Sequence, residues 1–174
     1  MATNNAENMR FRVSVGNDEK EVCKLRIMTL ERVNKIIDSR KIEPRIALIS
    51  YSNFGSSTGK YPSMMQKVVK RLHTDRPEIL VEGEMQPVYA IDGDLRSRRF
   101  PFNKLGDKSA NVFIFSGLSS GNAVYQIMRS MGNMESIGPV LLGFKKSVHI
   151  LHHSSSVREI VNMVALAVGE AQDK

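Results

Sequence analysis

Pro44-Arg-Ile-Ala-Leu-Ile-Ser-Tyr-Ser-Asn-Phe-Gly-Ser-Ser57 decides the fold of this chain. Residues 46–51 form a short apolar, β-branched run, which reads as a buried strand. Ser52, Asn53, Gly55, Ser56 and Ser57 crowd the loop that follows, and a helix begins a few residues later. In an open α/β sheet, ligands dock at the carboxyl ends of strands. Small hydroxyl and amide side chains there can hold an anion, helped by backbone N–H groups and the next helix terminus. The same residues also suit an ordinary strand-to-helix turn that needs caps and tight geometry. Local chemistry leaves both readings open.

Working outward, strand and helix signals alternate, which predicts an α/β fold: a three-layer sandwich with a mostly parallel sheet. Residues 11–15 read as a strand, and Asp18 can cap a helix running to about Ser39. After the strand at 46–51, Pro62 sits at a favoured first-turn position, and Met64, Met65, Val68, Val69 and Leu72 form one helical stripe. Residues 79–81 lead into Glu82-Gly-Glu-Met-Gln86, a strand end carrying polar groups. Residues 92–105 read as an irregular, basic surface segment. Residues 110–115 read as the central strand, and Ser116-Gly-Leu-Ser-Ser-Gly-Asn122 as its loop. Val124, Ile127, Met128 and Met131 mark the next helix, with Gly132 as its C′ residue. Two short strands are expected at 139–142 and 148–151. Ser156-Val-Arg-Glu159 is a capping box opening a terminal helix with Ile160, Val161, Val164 and Val168 on one side.

Composition narrows the function classes. At 174 residues the chain fits one domain with a real core. Residues 1–10 read as a disordered or cloning-derived start and residues 11–174 as the domain. No apolar run approaches the roughly 18 residues of a membrane span, and the polar first residues have no signal-peptide core. Cys23 is the only cysteine, so intrachain disulfides and cysteine-rich zinc sites are excluded, which fits the cytoplasm. The net charge of +7 is scattered and lacks interleaved aromatics, so an anionic small molecule is a better partner than nucleic acid.

Gly55-Ser-Ser-Thr-Gly-Lys60 fails as a phosphate-binding P-loop, because only three residues separate the glycines and Tyr61 replaces the magnesium-binding hydroxyl. The Gly117 and Gly121 loop lacks the third glycine of a dinucleotide fingerprint. Strand-end segments around Ser52, Glu84 and Ser119, with a fourth at residues 152–156, can still converge on one sheet edge. Glu84 and Gln86 can hydrogen-bond a ligand amide or hydroxyl, or simply end a solvated strand. His152 and His153 have no obvious third metal ligand, and on an extended segment they point to opposite sides. No metal is expected.

Pro44 to Ser56, Glu82-Gly-Glu-Met-Gln86, Ala110-Asn-Val-Phe-Ile-Phe115, Gly121-Asn122, Ile137-Gly-Pro-Val-Leu-Leu-Gly-Phe144 and Ile160-Val-Asn-Met-Val-Ala-Leu166 together resemble the phosphate acetyl/butyryltransferase family. Within it, Ser-Asn-Phe-Gly-Ser and Ile-Val-Asn-Met-x-Ala-Leu are similar to the phosphotransacetylase-like C-terminal branch found in large bacterial NADP-dependent malic enzymes. The resemblance runs in register over residues 44–172 and only loosely over 11–39. It implies a two-lobed transferase with coenzyme A and acyl phosphate between the lobes, of which this chain carries the second lobe, as an excised fragment. The first lobe and a malic enzyme domain, with its NADP and divalent metal, would lie elsewhere. Acetyl-CoA or CoA is the implied ligand, no cofactor is implied in this chain, and a homo-oligomer is implied.

The strand-end loops supply the expected ligand-binding set, and the resemblance adds the degenerate catalytic positions. That ligand-binding set is Ser52, Asn53, Gly55, Ser56, Ser57, Glu84, Gln86, Ser119, Asn122, His153 and Ser154. Active members of the family carry a Ser-Arg pair before the last helix and an aspartate at its start. Here His152 and His153 stand at the pair and Glu159 at the aspartate. Losing the guanidinium removes a permanently charged, bidentate phosphate clamp. The expectation is therefore a regulatory, acetyl-CoA-binding lobe without transferase chemistry. An active phosphate acyltransferase and a structural dimerisation domain with a vestigial cleft are the alternatives.

Overall fold

Residues 10–13, 43–131, 137–140, 148–153 and 155–172 are described by the computed structural model, the first four by backbone alone. The helix expected at 18–39, Gly132 and Ser154 lie outside the described residues. Four strands, β1 (Arg10–Val13), β2 (Ile46–Ile49), β3 (Val81–Met85) and β4 (Val112–Phe115), form one sheet in the order β1-β4-β2-β3. Every pairing is parallel. Ile46, Ala47, Leu48 and Ile49 of β2 face Val112, Phe113, Ile114 and Phe115 of β4 in register, so both strands end at the same edge.

Both faces of the central strands are covered, which is why β2 and β4 read as unbroken apolar runs rather than alternating ones. On one face, Ile46, Leu48, Val112 and Ile114 pack with Met65, Val68, Val69 and Leu72 of α1 (Lys60–Asp75). The expected stripe is therefore core, each of these side chains contributing roughly 1.5–3 kcal/mol of transfer free energy. On the other face, Ala47, Ile49, Phe113 and Phe115 pack with Met85, Ala90, Leu105 and Ala110. The result is the three-layer α/β arrangement.

Two expectations need correction. The stretch 92–105 is not an irregular surface segment: α2 (Pro87–Ile91) is followed at once by α3 (Gly93–Arg99). Asp92 caps α3 by accepting the Leu95 N–H at 2.8 Å. Arg96 and Leu105 are buried. Gly93 abuts the Asp107 backbone so closely that any Cβ there would collide with it. Of the two short strands expected at 139–142 and 148–151, residues 141 and 142 lie outside the described residues, and the rest carries one antiparallel bridge between Val140 and His149.

The chain divides into two compact units, residues 1–125 and 126–174. Among the described residues, the remaining helices are α4 (Leu118–Met131) and α5 (Val157–Gln172). In the second unit Met163 is the buried residue of α5, whereas Val157, Val161, Val164 and Val168 are exposed. Among the described residues, no helix is long and apolar enough to cross a membrane.

Candidate functional site

The loop after β2 is closed by its own hydrogen bonds. Ser52 is fully buried; its Oγ accepts the Ser57 N–H at 3.1 Å and donates to the Ser57 carbonyl at 3.3 Å. Ser56 Oγ accepts the Asn53 N–H at 2.9 Å, and the Asn53 carbonyl accepts the Ser56 N–H at 3.0 Å. Phe54 donates its N–H to the Glu84 carbonyl at 2.7 Å, and Gly55 donates its N–H to Glu84 Oε1 at 2.9 Å. A longer contact, 3.4 Å, joins the Ser52 N–H to Ser50 Oγ. Every backbone N–H from Ser52 to Ser57 thus has an internal acceptor.

Glu84 fastens this loop to β3, and Gln86 to the start of α2. Asn53 Oδ1 accepts the Gln86 N–H at 2.8 Å, and the Gln86 side-chain amide donates to the Tyr51 carbonyl at 2.9 Å. Glu84 does not end a solvated strand. It lies inside β3, is fully buried, and its Oε2 has no hydrogen-bond partner. Gly83 makes that packing possible: at φ 139° it sits where a Cβ would come within 2.7 Å of the Leu48 carbonyl oxygen.

Sequence reasoning missed three residues around the loop. Phe54 has a left-handed backbone, φ 49°, and its ring meets Phe100 at 4.7 Å and Phe102 edge-on at 5.2 Å. Glu82, also buried, accepts the Lys104 N–H on Oε2 at 2.8 Å. Arg96 is completely buried and donates to Asn103 Oδ1 at 3.0 Å and to the carbonyls of Tyr89 at 2.7 Å and Gly106 at 2.9 Å. Burial pulls its pKa below the ordinary arginine value, and the nearby Glu82 carboxylate opposes that pull. It stays a cation, because arginine starts so far above neutral pH. The one available signal was Asp92, a capping residue ahead of an unremarked helix.

Ser119 and Asn122 are not in a loop. Both are exposed in the first turns of α4, which begins at Leu118, and Gly121 is the buried residue of that helix. Since β2 and β4 are adjacent and parallel, the amino ends of α1 and α4 follow from one sheet edge. Neither first turn contains an acidic residue, and Gly59 at the start of α1 makes no side-chain cap. The first turn of a helix favours an anion, although Pro62 in α1 supplies no N–H.

The segment before α5 belongs to the second unit and is built differently. The His152 and His153 rings lie 4.2 Å apart and tilted by 38°, so they do not point to opposite sides. The chain turns here, with the Ser155 N–H donating to the His152 carbonyl at 2.9 Å. The capping box forms: Ser156 Oγ accepts the Glu159 N–H at 3.2 Å, and Glu159 Oε2 accepts the Ser156 N–H at 2.8 Å. Glu159 Oε1 accepts from Arg129 at 2.6 Å, a partner the sequence did not announce. Both carboxylate oxygens are therefore committed. Among the described residues, no cluster of three or more histidine, cysteine or acidic side chains could hold a metal ion.

A family model described as phosphate acetyl/butaryl transferase matches residues 13–168. The chain is 38% identical over 156 residues to an NADP-dependent malic enzyme of Escherichia coli K12, covering 89% of this chain and 20% of that protein. It is 31% identical over 152 residues to a phosphate acetyltransferase of Clostridium acetobutylicum, covering 87% of this chain and 44% of that one. The chain thus spans about a fifth of the malic enzyme and less than half of the acetyltransferase. A phosphotransacetylase from Streptococcus pyogenes superposes with a TM-score of 0.80 at 25% identity, over 97% of this chain and 51% of that one.

Proposed function

The chain belongs to the phosphate acetyl/butaryl transferase family, and from that premise we propose that it is a phosphotransacetylase-like lobe that binds acetyl-CoA, or a related acyl-CoA or phosphate-bearing ligand, as the regulator of a malic enzyme. The parent would oxidatively decarboxylate malate with NADP and a divalent metal held in another domain. The observation that carries the reading is the segment before α5. Histidines stand where the resemblance expects a Ser-Arg pair, and Glu159, at the expected aspartate, is occupied by Arg129 and Ser156. A carboxylate held on both oxygens is a poor base for a thiol, and an imidazole is a poor substitute for a guanidinium clamp. The malic enzyme relatives support the malic enzyme parent.

Ligand contacts are assigned to the sheet edge where α1 and α4 begin, with Ser56, Ser57, Ser119 and Asn122 as side-chain donors. The homo-oligomer implied by the resemblance is part of the same proposal, and the exposed valines of α5 support it. The test uses a full-length protein carrying this lobe: acetyl-CoA should bind, and its addition should change the rate of malate decarboxylation. Saturating acetyl-CoA with no effect on that rate, and no binding by dialysis, would sink the reading. An active phosphate acyltransferase is the second reading, favoured by the 31% identity to the Clostridium acetobutylicum enzyme.

A further inference from the structure

The Gly55 N–H points at Glu84 Oε1 from 2.9 Å, the geometry an amide would offer a bound anion. Glu84 is completely buried, and its second oxygen is buried without any hydrogen-bond partner. Such a group is expensive to keep unless it holds something in place. The other amides of the loop are also engaged, by Ser50, Ser52, Asn53, Ser56 and the Glu84 carbonyl. An incoming phosphate would therefore meet a loop already liganded by the protein's own anion.

From this geometry we propose that the Glu84 carboxylate is an internal competitor for the ligand, holding the loop of residues 52–59 in a closed, self-liganded state. An anion binds there only when Gly55 is released. This goes beyond the ligand assignment above and rests on it in one respect, that anions bind at this sheet edge. Gly55 has the freedom the change needs: its φ of +90° is glycine territory, the nearest obstacle to a Cβ is the flexible Gln66 side chain at 3.5 Å, and the residue is exposed. Phe54, Asn53 and Gln86 remain to bring the loop back, through the ring contacts and the Asn53–Gln86 bond.

Two variants of this chain separate the charge from the hydrogen bond. Glu84→Gln keeps an acceptor for Gly55 but removes the negative charge, and Glu84→Ala removes both. Amide hydrogen exchange at Gly55 reads the latch, and titration with coenzyme A and with inorganic phosphate reads the competition. Exchange at Gly55 should quicken about tenfold or more in Glu84→Ala, the loss of roughly one charge-assisted hydrogen bond. Coenzyme A should bind Glu84→Gln several-fold more tightly than the unaltered chain. Unchanged Gly55 exchange in a folded Glu84→Ala protein, or equal or weaker coenzyme A binding by Glu84→Gln, overturns the proposal. If exchange quickens but neither probe binds any of the three proteins, the competition is overturned together with the ligand assignment. If the latch fails while the unaltered chain binds coenzyme A, only the latch falls.

Discussion

The serine-rich loop after β2 and the His152–Glu159 segment before α5 are both polar turns ahead of a helix, yet they are held by opposite means. The loop is tied across the fold: Gly55 reaches Glu84 on β3 and Asn53 reaches Gln86 just past its end, some thirty residues further on. The segment before α5 is tied mostly to itself, with Ser155, Ser156 and Glu159 bonding within three residues, and Arg129 adding one partner from further away. A turn built across the fold can change state only by straining its surroundings, so it suits a switch. A locally built cap is a fixed terminus, and a carboxylate spent on it is withdrawn from chemistry.

Breaking the frame behind the loop should have the largest effect. Arg96→Ala orphans the carbonyls of Tyr89 and Gly106 and leaves the buried Glu82 without its nearby cation. It should cost about 3–5 kcal/mol, read as a lower denaturant midpoint for residues 43–125. Asn53→Ala removes the acceptor for the Gln86 N–H and should cost about 1–3 kcal/mol. Hydrogen exchange at Gln86 should rise with it. If Asn53→Ala is silent, the loop is not anchored as described.

The locally built segment should respond less. Ser156→Ala deletes the cap on α5 and should cost about 1 kcal/mol, with fraying confined to the first turn of that helix. Arg129→Gln breaks an ion pair whose partners are 43% and 22% exposed, so about 0.2–1 kcal/mol is expected, shrinking as salt rises. A loss from Arg129→Gln that exceeded Asn53→Ala would reverse the comparison.

The contrast also explains what the sequence could and could not reveal. The strand expected at 46–51, the α1 stripe and the Ser156–Glu159 box are written in local periodicity and spacing; all three are present, the strand ending two residues early at Ile49. Arg96 and Glu82 are buried because backbone groups elsewhere in the chain bond them, and Glu84 is buried with only one oxygen bonded, by the Gly55 N–H; such backbone partners leave no mark in the sequence. The Gly/Ser-rich stretch at 116–122 was legible as a strand end but not as a helix start. Small residues that look like loop are tolerated in a first turn, where Ser120 bonds the Gly117 carbonyl at 3.1 Å and Gly121 is buried. The paired histidines differ from expectation for a related reason: they sit in a turn, not on extended chain, closed by two bonds between His152 and Ser155.

On the proposed function, Glu159 and the two histidines no longer support transferase chemistry. This is tested most directly by assaying a full-length protein carrying this lobe for acetyl-CoA formation from acetyl phosphate and coenzyme A. No turnover above the uncatalysed background is expected at any enzyme concentration. Steady formation of acetyl-CoA proportional to enzyme, abolished by Glu159→Ala, would contradict it.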